Sequence, residues 1–192
     1  MFDFLKKHVR NRSVIQPIEP RCTRIPNLRD VHSAGFVYPV RGSGFESELA
    51  RIESIFRERN IGFTGLLVES RRGELDRRGA EAGHDGRTAA QRLQERGYAV
   101  LRRKAVNWAG VPRLQGLEPF FRNEYDLLVS FNAAGDFTSD YLVRKAKAKC
   151  VTGMRSAEGH PYTWVMEGPD RTVLPYADYL EQIFFYLEVI NR

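Results

Sequence analysis

Tyr125–Phe131 (YDLLVSF), then Asn132–Asp136 (NAAGD), Phe137–Ala148 (FTSDYLVRKAKA) and Cys150–Gly153 (CVTG) form the stretch that decides the fold. The first block is an apolar run of strand length with no glycine or proline in it, the pattern of a strand buried on both faces. Asp136 stands where a helix cap belongs. Behind it, Ser139, Leu142, Val143 and Ala146 recur at i, i+3, i+4 and i+7, which turns Arg144, Lys145 and Lys147 outward. Cys150–Gly153 then reads as a short strand. Strand, helix, strand predicts a parallel pair joined by a right-handed crossover.

The same rhythm extends upstream. Gly35–Val40 (GFVYPV) and Gly62–Glu69 (GFTGLLVE) are apolar runs, and between them Leu49, Ile52 and Phe56 recur at helical steps. Residues 70–86 are polar and broken by glycine, so a loop is expected there. Thr88–Arg96 reads as a helix ending at Gly97, and Tyr98–Leu101 as a third strand. A helix is expected near Gln115–Arg122. Downstream, Tyr162–Glu167 is a sixth candidate strand. Tyr176, Tyr179, Leu180, Ile183, Phe184, Leu187 and Ile190 draw an apolar helical stripe after Pro175. Phe185 and Val189 widen that stripe; a deeper seat in the core is expected, with a protein partner as the alternative. The predicted fold is α/β, a Rossmann-like three-layer sandwich with a mainly parallel sheet of five or six strands and helices on both faces. Residues 1–30 are read as a basic N-terminal arm and 31–192 as one Rossmann-like domain. In the arm, Phe2, Leu5 and Val9 mark one helical face and Lys6, Lys7 and Arg10 the other, with docking on the protein's own core expected and a membrane-surface or nucleic-acid arm as the alternative.

With 192 residues, 42% hydrophobic and 28% charged, the chain is long enough for one core without a disulfide or metal. The two cysteines, Cys22 and Cys150, and the four histidines show no metal-ligand spacing, so no cofactor or metal is expected. No apolar run approaches the roughly 18 residues of a membrane span, and no signal-peptide pattern opens the chain; a cytoplasmic location is expected. The net charge of +6 is segregated: residues 1–30, 70–104 and 141–155 carry +4, +5 and +5 against −8 elsewhere. Such asymmetry suits an anionic partner, and the ordinary alternative is a solvated surface.

Three groups of residues are candidates for binding. Gly42, Ser43 and Gly44 follow the first strand, where backbone N–H groups approach phosphate in nucleotide-binding folds, although an ordinary turn explains them as well. Asn132 and Asp136 lie across the expected crevice, where strand order reverses. Arg103, Lys104 and Trp108 form a basic loop with a ring in it, and Arg144, Lys145, Lys147 and Lys149 a basic helix surface. For Trp108 the expectation is a plug at the rim of the core; the alternative is a stacking platform. No catalytic constellation is legible. These readings favour a non-catalytic binding module for an anionic partner such as RNA. The alternatives are an enzyme or sensor for a phosphorylated small molecule, or a protein-interaction subunit.

Asn107–Pro112 (NWAGVP), Tyr125–Asn132 (YDLLVSFN), Phe137–Gly153 and Tyr179–Ile190 (YLEQIFFYLEVI) together resemble a bacterial family of small proteins known as a domain of unknown function. The resemblance covers roughly the second half of the chain and implies no activity. The strand–helix–strand piece is also similar to the N-terminal half of heptosyltransferase-like glycosyltransferases, which implies a Rossmann-like fold. In those enzymes a second such half holds the nucleotide-sugar.

Overall fold

A computed structural model describes residues 3, 5–7, 9–10, 25–42, 44–76, 87–132, 136–154, 160–167 and 175–190. Most of the basic arm, with Cys22, Ser43, His8 and His84, lies outside the described residues. Six strands form one sheet: β1 Ser33–Val40, β2 Gly62–Glu69, β3 Ala99–Leu101, β4 Glu124–Ser130, β5 Lys147–Gly153 and β6 Trp164–Val165. Their order is β3-β2-β1-β4-β5-β6 and every pairing is parallel. Besides the helical residues 3, 5–7 and 9–10, the α-helices are α1 Phe45–Glu58, α2 Ala89–Glu95, α3 Glu118–Arg122, α4 Phe137–Lys145 and α5 Tyr176–Val189. No helix among the described residues is long and apolar enough to cross a membrane.

Side-chain alternation along the strands builds two cores, one on each face. Phe36, Tyr38, Leu127, Val129 and Phe131 pack under α1, α2 and α5 through Leu49, Ile52, Phe56, Leu93, Leu180 and Ile183. On the other face Val37, Leu66, Leu128 and Val151 meet Phe120 of α3 with Leu142 and Val143 of α4. This is the three-layer sandwich predicted from the alternating pattern. Burial of these side chains, at ~25 cal/mol per Å², is what offsets the entropy of ordering the chain.

The sheet changes direction between β1 and β4, and Pro39 helps to part them there. Val37 accepts the Phe131 N–H on the β4 side, so Pro39, two residues on, turns the same way but has no N–H. Register pairing of β1 with β4 ends at Val37–Ser130, while pairing with β2 runs on to Val40. A proline is tolerated in this central strand because its neighbour has already left.

Several expectations need correction. α4 stops at Lys145 and β5 begins at Lys147, so Lys147 and Lys149 lie on a strand and not on a basic helix surface. The burial of β5 alternates over Lys147, Ala148 and Lys149 before turning solidly inward, a two-residue period that overrides the helical one. α3 is only five residues long and β6 only two. Phe185 is 63% exposed, with Tyr186, Val189 and Ile190 also exposed, so the widened stripe of α5 does not sit deeper in the core. The core takes one face of the helix, and these four occupy the other.

Candidate functional site

The carboxyl ends of the strands carry three groups that sequence reading singled out. After β1 comes the turn holding Gly42 and Gly44. The Gly42 N–H donates to the Glu74 carboxylate at 2.7 Å, and the other Glu74 oxygen accepts the Arg71 N–H. An internal carboxylate thus stands where a phosphate would approach. Gly44 caps α1 without a side-chain bond, and the first turn of α1 brings Glu46 and Glu48. Glu48 is itself committed, accepting the Ala177 N–H at the start of α5.

The loop between β4 and α4 holds a buried polar group on the opposite face. Asn132 is 1% exposed, and its amide donates to the Asp136 carbonyl and to Asp140 Oδ1, both at 2.9 Å. Its own carbonyl accepts the Asp136 N–H. Asp136 caps α4 by accepting from Ser139 N–H at 3.0 Å, as its position in the sequence predicts. Tyr162 donates to Asp140 Oδ1 at 2.7 Å and lies 3.4 Å from Ser130 Oγ. The Tyr162 ring covers Gly153 so closely that a Cβ there would fall 2.5 Å from it. Burial raises the Asp140 carboxyl above its ordinary range, with the bonds from Tyr162 and Asn132 offsetting part of the rise. Burial and the Asp140 charge raise the Tyr162 hydroxyl. Asp140 is more than a partner for the helix dipole, the role its first-turn position suggests. Tyr162 and Ser130 were missed, because nothing local marks a strand serine and a loop tyrosine as contacts.

The loop after β3 differs from both. Val106 bridges Pro112 in antiparallel fashion, Asn107 N–H donates to Val111 O, and Arg113 N–H donates to Ala105 O. The Asn107 side chain accepts the N–H groups of Ala109 and Val111. Gly110 makes the turn at φ +88°, a left-handed conformation where a side chain would be strained. At the tip, Trp108 is 59% exposed, which overturns its reading as a core plug. Ala109, fully buried, fills that place instead. A small residue fits under the loop because α4 approaches closely: Thr138 Oγ1 donates to Gly110 O at 2.8 Å.

Charge around this loop is uneven. Arg102 is half-buried and spent on Asp76 and on Glu69, whose other oxygen accepts the Leu75 N–H and which also takes the Arg103 N–H. Both Glu69 oxygens are thereby engaged within the protein. Arg103, Lys104 and Arg113 are exposed, as are Arg71 and Arg72 after β2. The Arg102 hydrogen bond, with Lys104 and Arg72 nearby, holds the Asp76 carboxyl below its ordinary value. Elsewhere four described cations of the basic segments are paired internally: Arg87 with Glu95, Arg92 with Glu46, Arg96 with Glu53, and Lys149 with Asp126 at 2.8 Å. Arg144 and Lys145 close α4, Lys145 reaching over the Tyr141 ring, while Lys147 is exposed on β5. Lys147 and Lys149 sit at the amino edge of the sheet, away from Trp108.

Gly42 and Asn132 therefore follow neighbouring strands but serve opposite faces, whereas α4 and the Trp108 loop are in contact. Among the described residues no three His, Cys, Asp or Glu side chains group as metal ligands. No curated protein matches the chain, glycosyltransferases included. Residues 87–190, which hold the Trp108 loop, α4 and the Asp140 group but not the Gly42 turn, match the Family of unknown function (DUF6913), and the chain belongs to that family.

Proposed function

We propose that this protein is a binding module whose Trp108 loop engages single-stranded RNA. The observation that carries the reading is the exposed indole at the tip of a loop braced by its own hydrogen bonds. An aromatic ring of this size is ordinarily drawn into the core. Here it is held out in water, with the exposed Arg103 and Lys104 in the 3-10 turn that enters the loop and the exposed Arg113 at its exit. Base stacking on a tryptophan contributes roughly 1–3 kcal/mol per base, and neighbouring cations add the salt-sensitive phosphate attraction. Because the loop is already ordered, little further entropy is lost on binding. The alternative, a phosphorylated small molecule at the Gly42 turn, is disfavoured by the Glu74 carboxylate on the Gly42 N–H.

Electrophoretic shifts with an unstructured oligouridylate test the proposal. Binding is expected at micromolar protein in low salt, falling by a log–log slope of about 0.7 per phosphate contacted. Trp108→Ala is expected to lose it. No shift in low salt, or equal binding by the variant, overturns the reading.

A further inference from the structure

Arg10 comes from a part of the chain far from the loop in sequence, yet it is built into the loop's support. Its Nε donates to the Ala109 carbonyl at 2.8 Å, and its guanidinium lies over the Phe137 ring, 4.4 Å from the centroid. These two contacts fix the plane and rotation of the group. The Nη edge of Arg10 has no hydrogen bond or ion pair among the described residues, and the side chain is only partly buried. A cation so held differs from the exposed lysines beside it. Its orientation is already paid for by packing, and a guanidinium edge matches the geometry of phosphate oxygens.

The anchoring carbonyl belongs to Ala109, the residue after Trp108. The guanidinium is thereby tied to the same loop that carries the exposed indole. We infer that Arg10 is the phosphate-binding residue of the Trp108 site, supplied by the N-terminal helical residues; this rests on the reading of that site as an RNA platform. The sequence placed Arg10 on an outward basic face with Lys6 and Lys7. The structure gives it a different role, because its guanidinium reaches the Ala109 carbonyl.

The test measures oligouridylate binding over a range of salt for the full chain and two variants. Arg10→Gln keeps a donor for the Ala109 carbonyl but loses the charge; the expected result is about tenfold weaker binding and a salt slope smaller by about 0.7. Arg10→Lys keeps a charge without the fork, so the slope stays near that of the native chain while affinity recovers only in part. Weaker binding by Arg10→Gln at an unchanged slope would make Arg10 a brace for the loop and overturn the phosphate role. Native affinity in either variant overturns it as well. If the unaltered protein binds no RNA, the platform reading fails first and separately.

Discussion

At the amino end of β4, Asp126 receives Lys149 on one oxygen at 2.8 Å and the N–H groups of His32 and Ser33, with the Ser33 hydroxyl, on the other at 3.0 Å. Past the carboxyl end, Asp140 receives Asn132 and Tyr162 on Oδ1, and its Oδ2 has no hydrogen bond among the described residues. Both carboxylates are partly withdrawn from water, and burial alone would raise both. For Asp126 the hydrogen bonds outweigh burial and hold its carboxyl at about 2; for Asp140 burial wins and the carboxyl rises. One end of the sheet is completed internally. The other leaves Asp140 Oδ2 unspent among the described residues and carries the exposed Trp108.

The largest expected effect is at the completed end. Asp126→Ala strands Lys149 and two backbone N–H groups and should cost about 3 kcal/mol in denaturant melts, while RNA affinity of the folded variant is retained. A cost below about 1 kcal/mol would break the contrast. At the opposite end, Gly153→Ala would drive a methyl into the Tyr162 ring and should cost about 2 kcal/mol through overpacking, seen as a lower midpoint at unchanged slope.

Trp108→Ala sharpens the comparison from the functional side. An exposed ring predicts a stability change within about 0.5 kcal/mol, together with loss of roughly 1–3 kcal/mol of stacking for each base. A stability lowered by several kcal/mol would mean that the ring is structural after all.

Acid titration separates the carboxylates by sign. The folded value of Asp126 lies below its unfolded value of about 3.9, so its contribution is complete above about pH 4 and is lost as pH falls toward 2, on the order of 1–2 kcal/mol after screening around exposed Lys149. Asp140, raised in the folded state, contributes in the opposite sense and destabilises once ionised. Its cost is relieved as pH falls through its folded value. Asp126→Asn should therefore flatten the acid limb of stability. Asp140→Asn has the smallest effect, within about 1 kcal/mol and stabilising at neutral pH, since an amide oxygen still accepts from Asn132 and Tyr162. Measurable destabilisation by that variant would contradict the account of Asp140.

Much of the fold was legible because its determinants are local. β2 spans the residues of the apolar run read as a strand, Thr88 and Gln91 form the capping box that starts α2, and Asp136 caps α4 as its position implies. The end of α4 was not legible. Leu142, Val143 and Ala146 satisfy a helical period, while Ala146 also begins a chain reversal that lets Lys147–Gly153 pair with β4. Pairing with a strand 23 residues earlier decided between them.

The site was less legible for the same reason. Asn132 and Asp136 were singled out as candidates and Trp108 was read as a core plug, whereas Asp140, Tyr162, Ser130 and Arg10 acquire their contacts from partners distant in sequence. The basic segments could be counted from the sequence, yet their effective charge depends on ion pairs such as Lys149 with Asp126 and Arg92 with Glu46. Sequence by itself determined the alternation of strands and helices, the caps and the parallel class, since hydrophobic period and backbone preference act over a few residues. Tertiary structure alone decided which cations remain unpaired, which carboxylate is left half-satisfied and whether Trp108 or Ala109 fills the rim. Burial and charge compensation are set by what packs opposite, and that is fixed only when the sheet assembles.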